Sequence, residues 1–275
     1  MNRPQFRDIL AAVDEASDLE LRVQAGPTPG AVTLTLDRPH RKNALTPGLV
    51  QRLGRALDDL IVDSNVRVFI LRGAGGAFCS GADLNTITKA QGDEVGERID
   101  EFHHLIRTIV YAPQPVIAVV DGPAVGFGAD LALSCDLRVF SSNGYLEEGF
   151  VKVGLMPDGG GTYFMPRFAG ARAFEYLALG TRLPAAHCAE LGIANWVIPD
   201  DQLDAFVQEC SGELCRAAPL AMRNIKAAVR AHDRAQLGSV LASEKAGQSQ
   251  LLASEDFQEG VRAFLEKRAP HFSGR

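Results

Sequence analysis

Short apolar segments, each followed by a glycine-rich loop, are the feature of this sequence that most restricts its fold. Residues 66–71 precede the glycine-rich residues 73–81, and residues 116–120 precede the glycine-rich residues 122–128. A third glycine-rich loop covers residues 154–161. Helical patterns lie between these segments, and the repeated order of strand, glycine-rich loop and helix is typical of α/β proteins. We therefore predict an α/β fold with a mostly parallel sheet.

Other local patterns add elements to this prediction. Residues 19–25 and 31–36 alternate apolar and polar side chains around the turn at 26–30, which predicts a β-hairpin. Thr46 followed by Pro47 is typical of the start of a helix. Further predicted elements are helices at 47–60, 94–110 and 129–134 and strands at 137–140 and 196–198.

The length of the chain allows one large domain or one domain with an appendage. The chain has 275 residues, which is at the upper end for one domain. We predict a short extension at residues 1–18, a core at 19–200 and a helical region at 201–275. The last region consists of amphipathic patterns, which are typical of helices that cover a site or build an oligomer.

The composition excludes several classes of protein. The net charge of −6 disfavours a nucleic-acid partner, which requires a basic face. The sequence has no uninterrupted apolar run of about 18 residues, so we expect no membrane span. The five cysteines form no CxxC pair, and the first residues do not form a signal peptide. We therefore predict a cytoplasmic location with reduced thiols.

The glycine-rich loops offer main-chain N–H groups rather than a known phosphate-loop motif. The patterns GxxxxGK[ST] and GxSxG are absent, and so is the spacing HExxH of a metal site. Residues 126–128 open an apolar helix, and the unpaired N–H groups of a helix start can bind a phosphate or an oxyanion. The loop at 78–83 offers similar N–H groups. Each loop by itself is better explained as a tight turn than as a binding site.

Five segments in order resemble the crotonase family, which is also called the enoyl-CoA hydratase/isomerase family. They cover the sequences NALT at 43–46, GAFCSGADL at 76–84, DGPAVGFGADLALSCD at 121–136, GLMPDGGGT at 154–162 and SEDFQEGVRAFLEKR at 254–268. The resemblance extends over residues 19–275. Each segment is weakly specific, whereas all five in this order are highly specific.

The resemblance implies a fold, a ligand and an assembly. The expected fold is a spiral of ββα units followed by a helical trimerisation region, and the expected assembly is a homotrimer or a hexamer of two trimers. The expected ligand is an acyl-CoA thioester, so coenzyme A enters as part of the substrate. We expect no permanently bound cofactor and no metal.

The resemblance also assigns binding residues by position. The main-chain N–H groups of Ala82 and Phe127 correspond to the family's oxyanion hole, although the family often has glycine where Phe127 stands. Phe102, His103 and Phe150 are candidates for shaping the acyl pocket with Phe127. The other positions assigned to CoA or substrate binding are Arg41, Lys42, Ala44, Ser80, Asp83, Leu84, Gly128, Phe264 and Lys267.

The carboxylates indicate which reaction to expect. Family hydratases use two glutamates, which correspond to Asp130 and to Phe150 in this sequence, and the phenylalanine counts against hydration. Glu147 and Glu148 are close in sequence, but we expect that reaching the site would need a slip in strand register. Asp158 resembles an aspartate of the dienoyl-CoA isomerase and ring-opening epoxide isomerase branches.

One carboxylate that moves a proton between two carbons suffices for double-bond isomerisation. We therefore predict an acyl-CoA isomerase that shifts a double bond or rearranges a ring, with Asp158 as base and Asp130 as its acid partner or substrate-orienting group. A turn role for Asp158 and a structural hydrogen bond for Asp130 stay open. The alternatives are a 2-enoyl-CoA hydratase of fatty-acid or aromatic-acid degradation and a non-catalytic acyl-CoA-binding relative.

Overall fold

The computed structural model describes residues 20–88 and 93–275. The predicted extension at residues 1–18 lies outside the described residues. The strands in the described part are β1 (Leu21–Ala25), β2 (Ala31–Leu36), β3 (Val68–Gly73), β4 (Val116–Val120), β5 (Pro123–Val125), β6 (Leu137–Ser141), β7 (Tyr145–Glu147), β8 (Arg182–Pro184) and β9 (Trp196–Ile198).

The larger sheet confirms the prediction of a mostly parallel α/β fold. Its strand order is β1-β2-β3-β4-β6-β9, with the predicted antiparallel hairpin between β1 and β2 and parallel pairing everywhere else. Strand β3 begins two residues later than predicted. The reason is that Val66 closes a turn, in which its N–H donates to the carbonyl of Asp63 at 3.1 Å.

Helices pack on this sheet and make up the last part of the chain. They are α1 (Pro47–Leu60), α2 (Leu84–Ile87), α3 (Asp93–Tyr111), α4 (Phe127–Ser134), α5 (Gly161–Ala169), α6 (Ala173–Leu179), α7 (Ala185–Glu190), α8 (Leu203–Arg216), α9 (Pro219–Val229), α10 (Ala231–Leu252) and α11 (Glu255–Glu266).

Helix α1 shows how the sequence pattern produces an element. The hydroxyl of Thr46 accepts from the N–H of Leu49 at 3.2 Å, and Pro47 occupies the first helical position, as predicted. Leu49, Leu53 and Leu57 then lie on one face and are fully buried in the core. The face is apolar at helical spacing, so burying it drives the helix onto the sheet.

A second, smaller sheet was not predicted from the sequence. Strands β5, β7 and β8 have three residues each and pair in the order β5-β7-β8. Their sequences PAV, YLE and RLP each include proline or glutamate, which are depleted in strands, unlike the WVI of the predicted strand β9. This small sheet matters because β5 runs directly into helix α4, and an isolated bridge joins Cys79 to Ala124 beside it. It therefore places the first two glycine-rich loops side by side.

The chain after β9 is helical, and its longest helix returns to the core. Helix α10 packs against α3 and α5.

Helix α4 begins at Phe127, two residues before the predicted start, because Gly126 serves as its N-cap. None of the helices in the described ranges combines the length and apolar character needed to span a membrane.

Candidate active site

A cavity of about 220 Å³ lies where the first two glycine-rich loops meet helix α3 and the C-terminal helices. It brings together residues that are far apart in the sequence, as the crossovers of a parallel sheet permit. The predicted site residues that line it are Ser80, Ala82, Leu84, Phe127, Phe150, Asp158 and Phe264. Glu147, Arg98 and Gln248 also line it.

Two main-chain N–H groups are available on adjacent loops at this cavity. Within the described residues, the N–H groups of Ala82 and Phe127 donate to no protein acceptor. Phe127 is the first residue of α4, so its N–H lies at the positive end of the helix dipole. Two such donors can stabilise a negative oxygen, and each well-placed donor is worth about 3–4 kcal/mol in a transition state.

Gly81 explains why the two loops can approach so closely. Its φ is +90°, a conformation that side-chain-bearing residues rarely adopt. A Cβ added at Gly81 would lie 2.8 Å from the carbonyl oxygen of Val125 and 3.5 Å from the nitrogen of Phe127. Only glycine therefore fits between the loops that carry the two N–H groups.

Aromatic side chains form one wall of the cavity. The rings of Phe102 and Phe127 meet edge to face, with centroids 4.3 Å apart. Phe150 lines the same cavity and packs over Gly126. The predicted pocket-shaping residue His103 is absent from the lining, and its ring instead binds the main-chain carbonyl of Asp158. The wall suits an apolar acyl group.

Asp158 is held at the cavity by contacts at both its side chain and its main chain. Its Oδ2 accepts from the side-chain amide of Gln248 at 3.0 Å, and its carbonyl oxygen accepts from Nε2 of His103 at 2.8 Å. Burial raises the pKa of Asp158 to about 7, against the opposing effect of the Gln248 hydrogen bond. A carboxyl group with this pKa can both take and return a proton near neutral pH.

Burial also determines the protonation state of His103. It lowers the pKa of His103 to about 4, so the ring is neutral at neutral pH. Because its partner is a carbonyl oxygen, Nε2 carries the proton and donates. His103 therefore supports the loop of Asp158 and does not exchange protons with substrate.

Asp130, the predicted acid partner or substrate-orienting group, lies outside the cavity. Its side chain is fully buried and does not line the cavity. Its Oδ2 accepts from the N–H of Gly159 at 2.9 Å, and its Oδ1 has no partner and lies on the side of Glu148. The side chain of Asp130 is one methylene group shorter than that of the family's glutamate. The loop at Gly159 packs over it. Its geometry fits the structural hydrogen bond that the sequence left open.

Asp130 and Glu148 form a buried pair of carboxyl groups. Both oxygens of Glu148 lack a partner among the described residues, and its side chain is 2% exposed. Burial, together with neighbouring carboxyl groups, raises the pKa of Asp130 and of Glu148 well above their ordinary values. Each carboxyl group therefore disfavours ionisation of the other.

Glu147 lines the cavity, and this corrects the expectation that a register slip would be needed. Strand β7 keeps its pairing of Glu147 with Val125, and β5 leads directly into α4. Glu147 is bound by Lys152 at 2.8 Å and by Arg182 at 3.0 Å. Burial opposes them, but these two hydrogen bonds hold the pKa of Glu147 below its ordinary value. It is therefore a fully ionised carboxylate at neutral pH.

The residues assigned to CoA binding divide into two groups. Arg41 and Lys42 are exposed, and their carbonyl oxygens accept from the hydroxyl and the N–H of the cavity residue Ser80 at 3.1 and 2.9 Å. Lys267 is exposed at the C-terminal end of α11, three residues after the cavity residue Phe264. These three cations lie beside the cavity, where a polyanionic ligand could reach them.

Three other assigned positions have structural contacts instead. The carboxylate of Asp83 caps α2 and binds Arg38 at 3.1 Å, and Ala44 is buried with its carbonyl bound to the same guanidinium. A Cβ at Gly128 would lie 2.2 Å from the carbonyl oxygen of Cys79, so this glycine permits close packing. None of the three lines the cavity, and their assignment to CoA or substrate binding stays a prediction.

Two residues of helix α10 at this site were not found from the sequence. Gln248 contacts Asp158, and Glu244 accepts from the N–H of Gly160 at 2.8 Å and from the N–H of Thr162 at 3.0 Å. The only signal was a pair of polar residues four apart in a helix, which is more typical of a solvated face.

Within residues 20–88 and 93–275, no group of three or more His, Cys, Asp or Glu is arranged to hold a metal ion.

Comparison with known proteins agrees with this fold. The sequence profile described as "Enoyl-CoA hydratase/isomerase" matches residues 28–275. A crystal structure of an enoyl-CoA hydratase from Mycobacterium avium subsp. paratuberculosis K-10 superposes with a TM-score of 0.85 at 35% identity, covering 92% of this chain and 98% of that chain. The crotonase-like α/β fold with a C-terminal helical region is therefore confirmed.

The names of similar proteins include both hydratases and isomerases. A probable enoyl-CoA hydratase of Rhodobacter capsulatus is 36% identical, covering 90% of this chain and 95% of the relative. The 1,2-epoxyphenylacetyl-CoA isomerase of Escherichia coli K12 is 35% identical, covering 90% of this chain and 96% of the relative. The chain belongs to the enoyl-CoA hydratase/isomerase family, whose members act on acyl-CoA thioesters.

Proposed function

We propose that this protein is an acyl-CoA isomerase that shifts a carbon–carbon double bond, or rearranges a related ring, through a thioester enolate. The observation that carries the proposal is the position of Asp158. It is a cavity-lining carboxyl group with a pKa of about 7, whereas Asp130, the residue at the first catalytic position of family hydratases, is buried outside the cavity.

The proposed reaction on a 3-enoyl-CoA begins with proton removal from C2 by the Asp158 carboxylate. The C–H bond breaks, and its electron pair becomes a dienolate whose negative charge lies on the thioester oxygen. The N–H groups of Ala82 and Phe127 donate to that oxygen. Asp158 then returns the proton at C4, and the electron pair closes the C2–C3 double bond and restores the thioester carbonyl. Atoms and charge balance without water or a cofactor.

A 2-enoyl-CoA hydratase is the second candidate, and Glu147 is the observation that favours it. Hydration needs carboxylates that orient water, deprotonate it and protonate C2. Glu147 and Asp158 both line the cavity, and their pKa values are shifted in opposite directions. Against hydration, Glu147 is bound to both Lys152 and Arg182, which favours its ionised form and occupies its oxygens.

Other parts of the proposal follow the family resemblance. Arg41, Lys42 and Lys267 would meet the phosphates of coenzyme A, which enters only as part of the substrate. Phe264 would cover the ligand at the cavity mouth. A homotrimer or hexamer, and a cytoplasmic location, belong to the same proposal.

The experiment compares two substrates with the same acyl length. Incubation with a 3-enoyl-CoA should increase the absorbance of the conjugated enoyl thioester, and incubation with the 2-enoyl-CoA should decrease it only slowly. The Asp158→Asn variant should lose isomerisation by about 10²–10⁴-fold while its acyl-CoA affinity, measured by calorimetry, stays close to that of the wild type. Asp201→Asn, which changes an exposed turn aspartate, is the matched control.

The outcomes separate the three functions. Hydration that is faster than isomerisation would replace our proposal by the hydratase, and Glu147→Gln should then abolish activity. Acyl-CoA binding without turnover of either substrate would indicate a non-catalytic binding protein. Isomerisation that survives in Asp158→Asn would remove Asp158 from the role of base.

A further inference from the structure

Helix α10 presents two buried polar side chains to the loop that carries Asp158. Glu244 and Gln248 are four residues apart, so they lie on the same face of the helix, and they are 1% and 2% exposed. Glu244 binds the loop at Gly160 and Thr162, and Gln248 binds it at Met156 and Asp158. A helix from the C-terminal region thus fixes the loop between 156 and 162.

The hydrogen bonds of Gln248 determine the orientation of its amide. The N–H of Met156 donates to Oε1 of Gln248 at 3.2 Å. Because a main-chain N–H can only donate, the oxygen of the amide must face Met156 and the nitrogen must face Asp158. The nitrogen then donates to Oδ2 of Asp158 at 3.0 Å.

This arrangement leaves the two oxygens of Asp158 in different states. Oδ2 is occupied by Gln248, whereas Oδ1 accepts no hydrogen bond from another described residue, although Asp158 lines the cavity. The main chain of the same residue is held from the opposite side by His103 of α3. Asp158 is therefore held at its main-chain carbonyl and at Oδ2, and its Oδ1 is left for a ligand.

We propose that Gln248 is a positioning residue for Asp158: its amide fixes Oδ2 and thereby makes Oδ1 the oxygen that exchanges a proton with the acyl group. This inference rests on the proposed isomerase function and extends it to a residue of the C-terminal helical region. Gln248 itself lines the cavity, and the role proposed for it is exerted through the carboxyl group of Asp158.

The electrostatic surroundings make the donor important. The ionisable groups around Asp158 are His103 on α3, Glu244 on α10, Asp130 on α4 and Glu148 after β7. His103 is neutral, and the carboxyl groups disfavour a further negative charge. The Gln248 amide is the side-chain donor that favours the ionised form of Asp158. Removing this donor should raise the pKa of Asp158 and let its carboxyl group rotate away from the orientation that Gln248 fixes.

Two substitutions test this role. Gln248→Met keeps the length of the side chain and removes both hydrogen bonds. Gln248→Glu keeps an acceptor for the N–H of Met156 but turns a second carboxylate toward Asp158. Gln250→Met, at an exposed position of the same helix, is the matched control. Thermal unfolding of each variant verifies that it is folded.

The first measurement is independent of turnover. In ¹³C NMR of the carboxyl groups, the Asp158 signal is identified by its loss in Asp158→Asn and followed as a function of pH. The midpoint should move to higher pH in Gln248→Met, further in Gln248→Glu, and stay unchanged in Gln250→Met. An unchanged midpoint in Gln248→Met would overturn the proposal.

The second measurement is steady-state isomerisation of a 3-enoyl-CoA. We expect kcat to fall about tenfold or more in Gln248→Met, with little change in KM and with the acidic limb of the pH profile displaced upward. Wild-type kcat in Gln248→Glu would show that only the contact with Met156 matters and would overturn the proposal. If the wild-type protein fails to isomerise, the proposed function fails, and the NMR titration still decides the role of Gln248.

Discussion

The carboxyl group of Asp130 accepts a hydrogen bond of 2.9 Å from the main-chain N–H of Gly159. This bond joins helix α4, which begins with the proposed oxyanion donor Phe127, to the loop that carries Asp158. The residue at the family's catalytic position thus connects the two halves of the proposed site from behind the cavity.

Substitutions of Asp130 should separate a structural role from a catalytic one. Asp130→Asn keeps an oxygen acceptor for Gly159 and gains N–H donors for Glu148, so we expect kcat within a few-fold of the wild type. Asp130→Ala leaves the Gly159 N–H unsatisfied and should lower the free energy of unfolding by about 1–3 kcal/mol. Denaturant unfolding and steady-state kinetics measure the two effects. Equal loss of activity in both variants would indicate that Asp130 itself transfers a proton.

The pH dependence of isomerisation should report the ionisation of Asp158. Burial raises its pKa to about 7, and the proposed base must be ionised in the free enzyme. We expect kcat/KM to rise about tenfold per pH unit below pH 7 and to level off above it. Initial rates between pH 5.5 and 8.5 measure this. If the residual activity of Asp158→Asn keeps the same acidic limb in its pH profile, that limb belongs to a group other than Asp158.

Gly81 should be intolerant of a side chain because of contact rather than backbone strain alone. In Gly81→Ala the new Cβ would lie 2.8 Å from the carbonyl of Val125, which displaces the N–H groups of Ala82 and Phe127. We expect kcat to fall about 10²–10³-fold in a folded protein. Gly76→Ala is the matched control, since Gly76 also has a positive φ (+72°) but nothing lies within 4 Å of its Cβ position. Similar kinetics of the two variants would contradict the steric argument.

The buried pair of Asp130 and Glu148 should make the protein less stable as the pH rises. Both pKa values are raised in the folded state, so folding binds protons between about pH 4.5 and the folded pKa values. The contribution to stability is complete below the unfolded pKa and is lost as the pH increases. In Glu148→Gln this dependence should weaken, so its Tm relative to the wild type should increase from pH 5 to pH 8. Exposed Glu209→Gln should show a constant difference in Tm.

Much of the fold was predictable because its signals are local. Strand β4 was predicted with its exact bounds, and its five residues are all buried apolar side chains. Helix α1 was predicted from Thr46, Pro47 and leucines at helical spacing. Strand β9 also has three residues but was predicted, because its sequence WVI consists of strong strand formers. Strands β5, β7 and β8 were missed because their sequences PAV, YLE and RLP each contain proline or glutamate, which are depleted in strands, and they form through pairing with distant partners.

The parts of the candidate site that depend on a single segment of the chain were predictable. The sequence by itself determined the glycine-rich loops, the apolar strands that precede them and the order of motifs that places the chain in its family. Each depends on residues that are neighbours in the chain. The N–H groups of Ala82 and Phe127 have no protein acceptor among the described residues and Asp158 lines the cavity, whereas the roles taken from the motifs stay predictions.

Only the tertiary structure decided what each carboxyl group faces. Asp130 is buried behind the cavity, Glu147 lines it, and Asp158 is held by Gln248 from a helix 90 residues later. The reason is physical: burial and the nearest donor determine the pKa and orientation of a carboxyl group, and both come from segments that meet only in the folded chain.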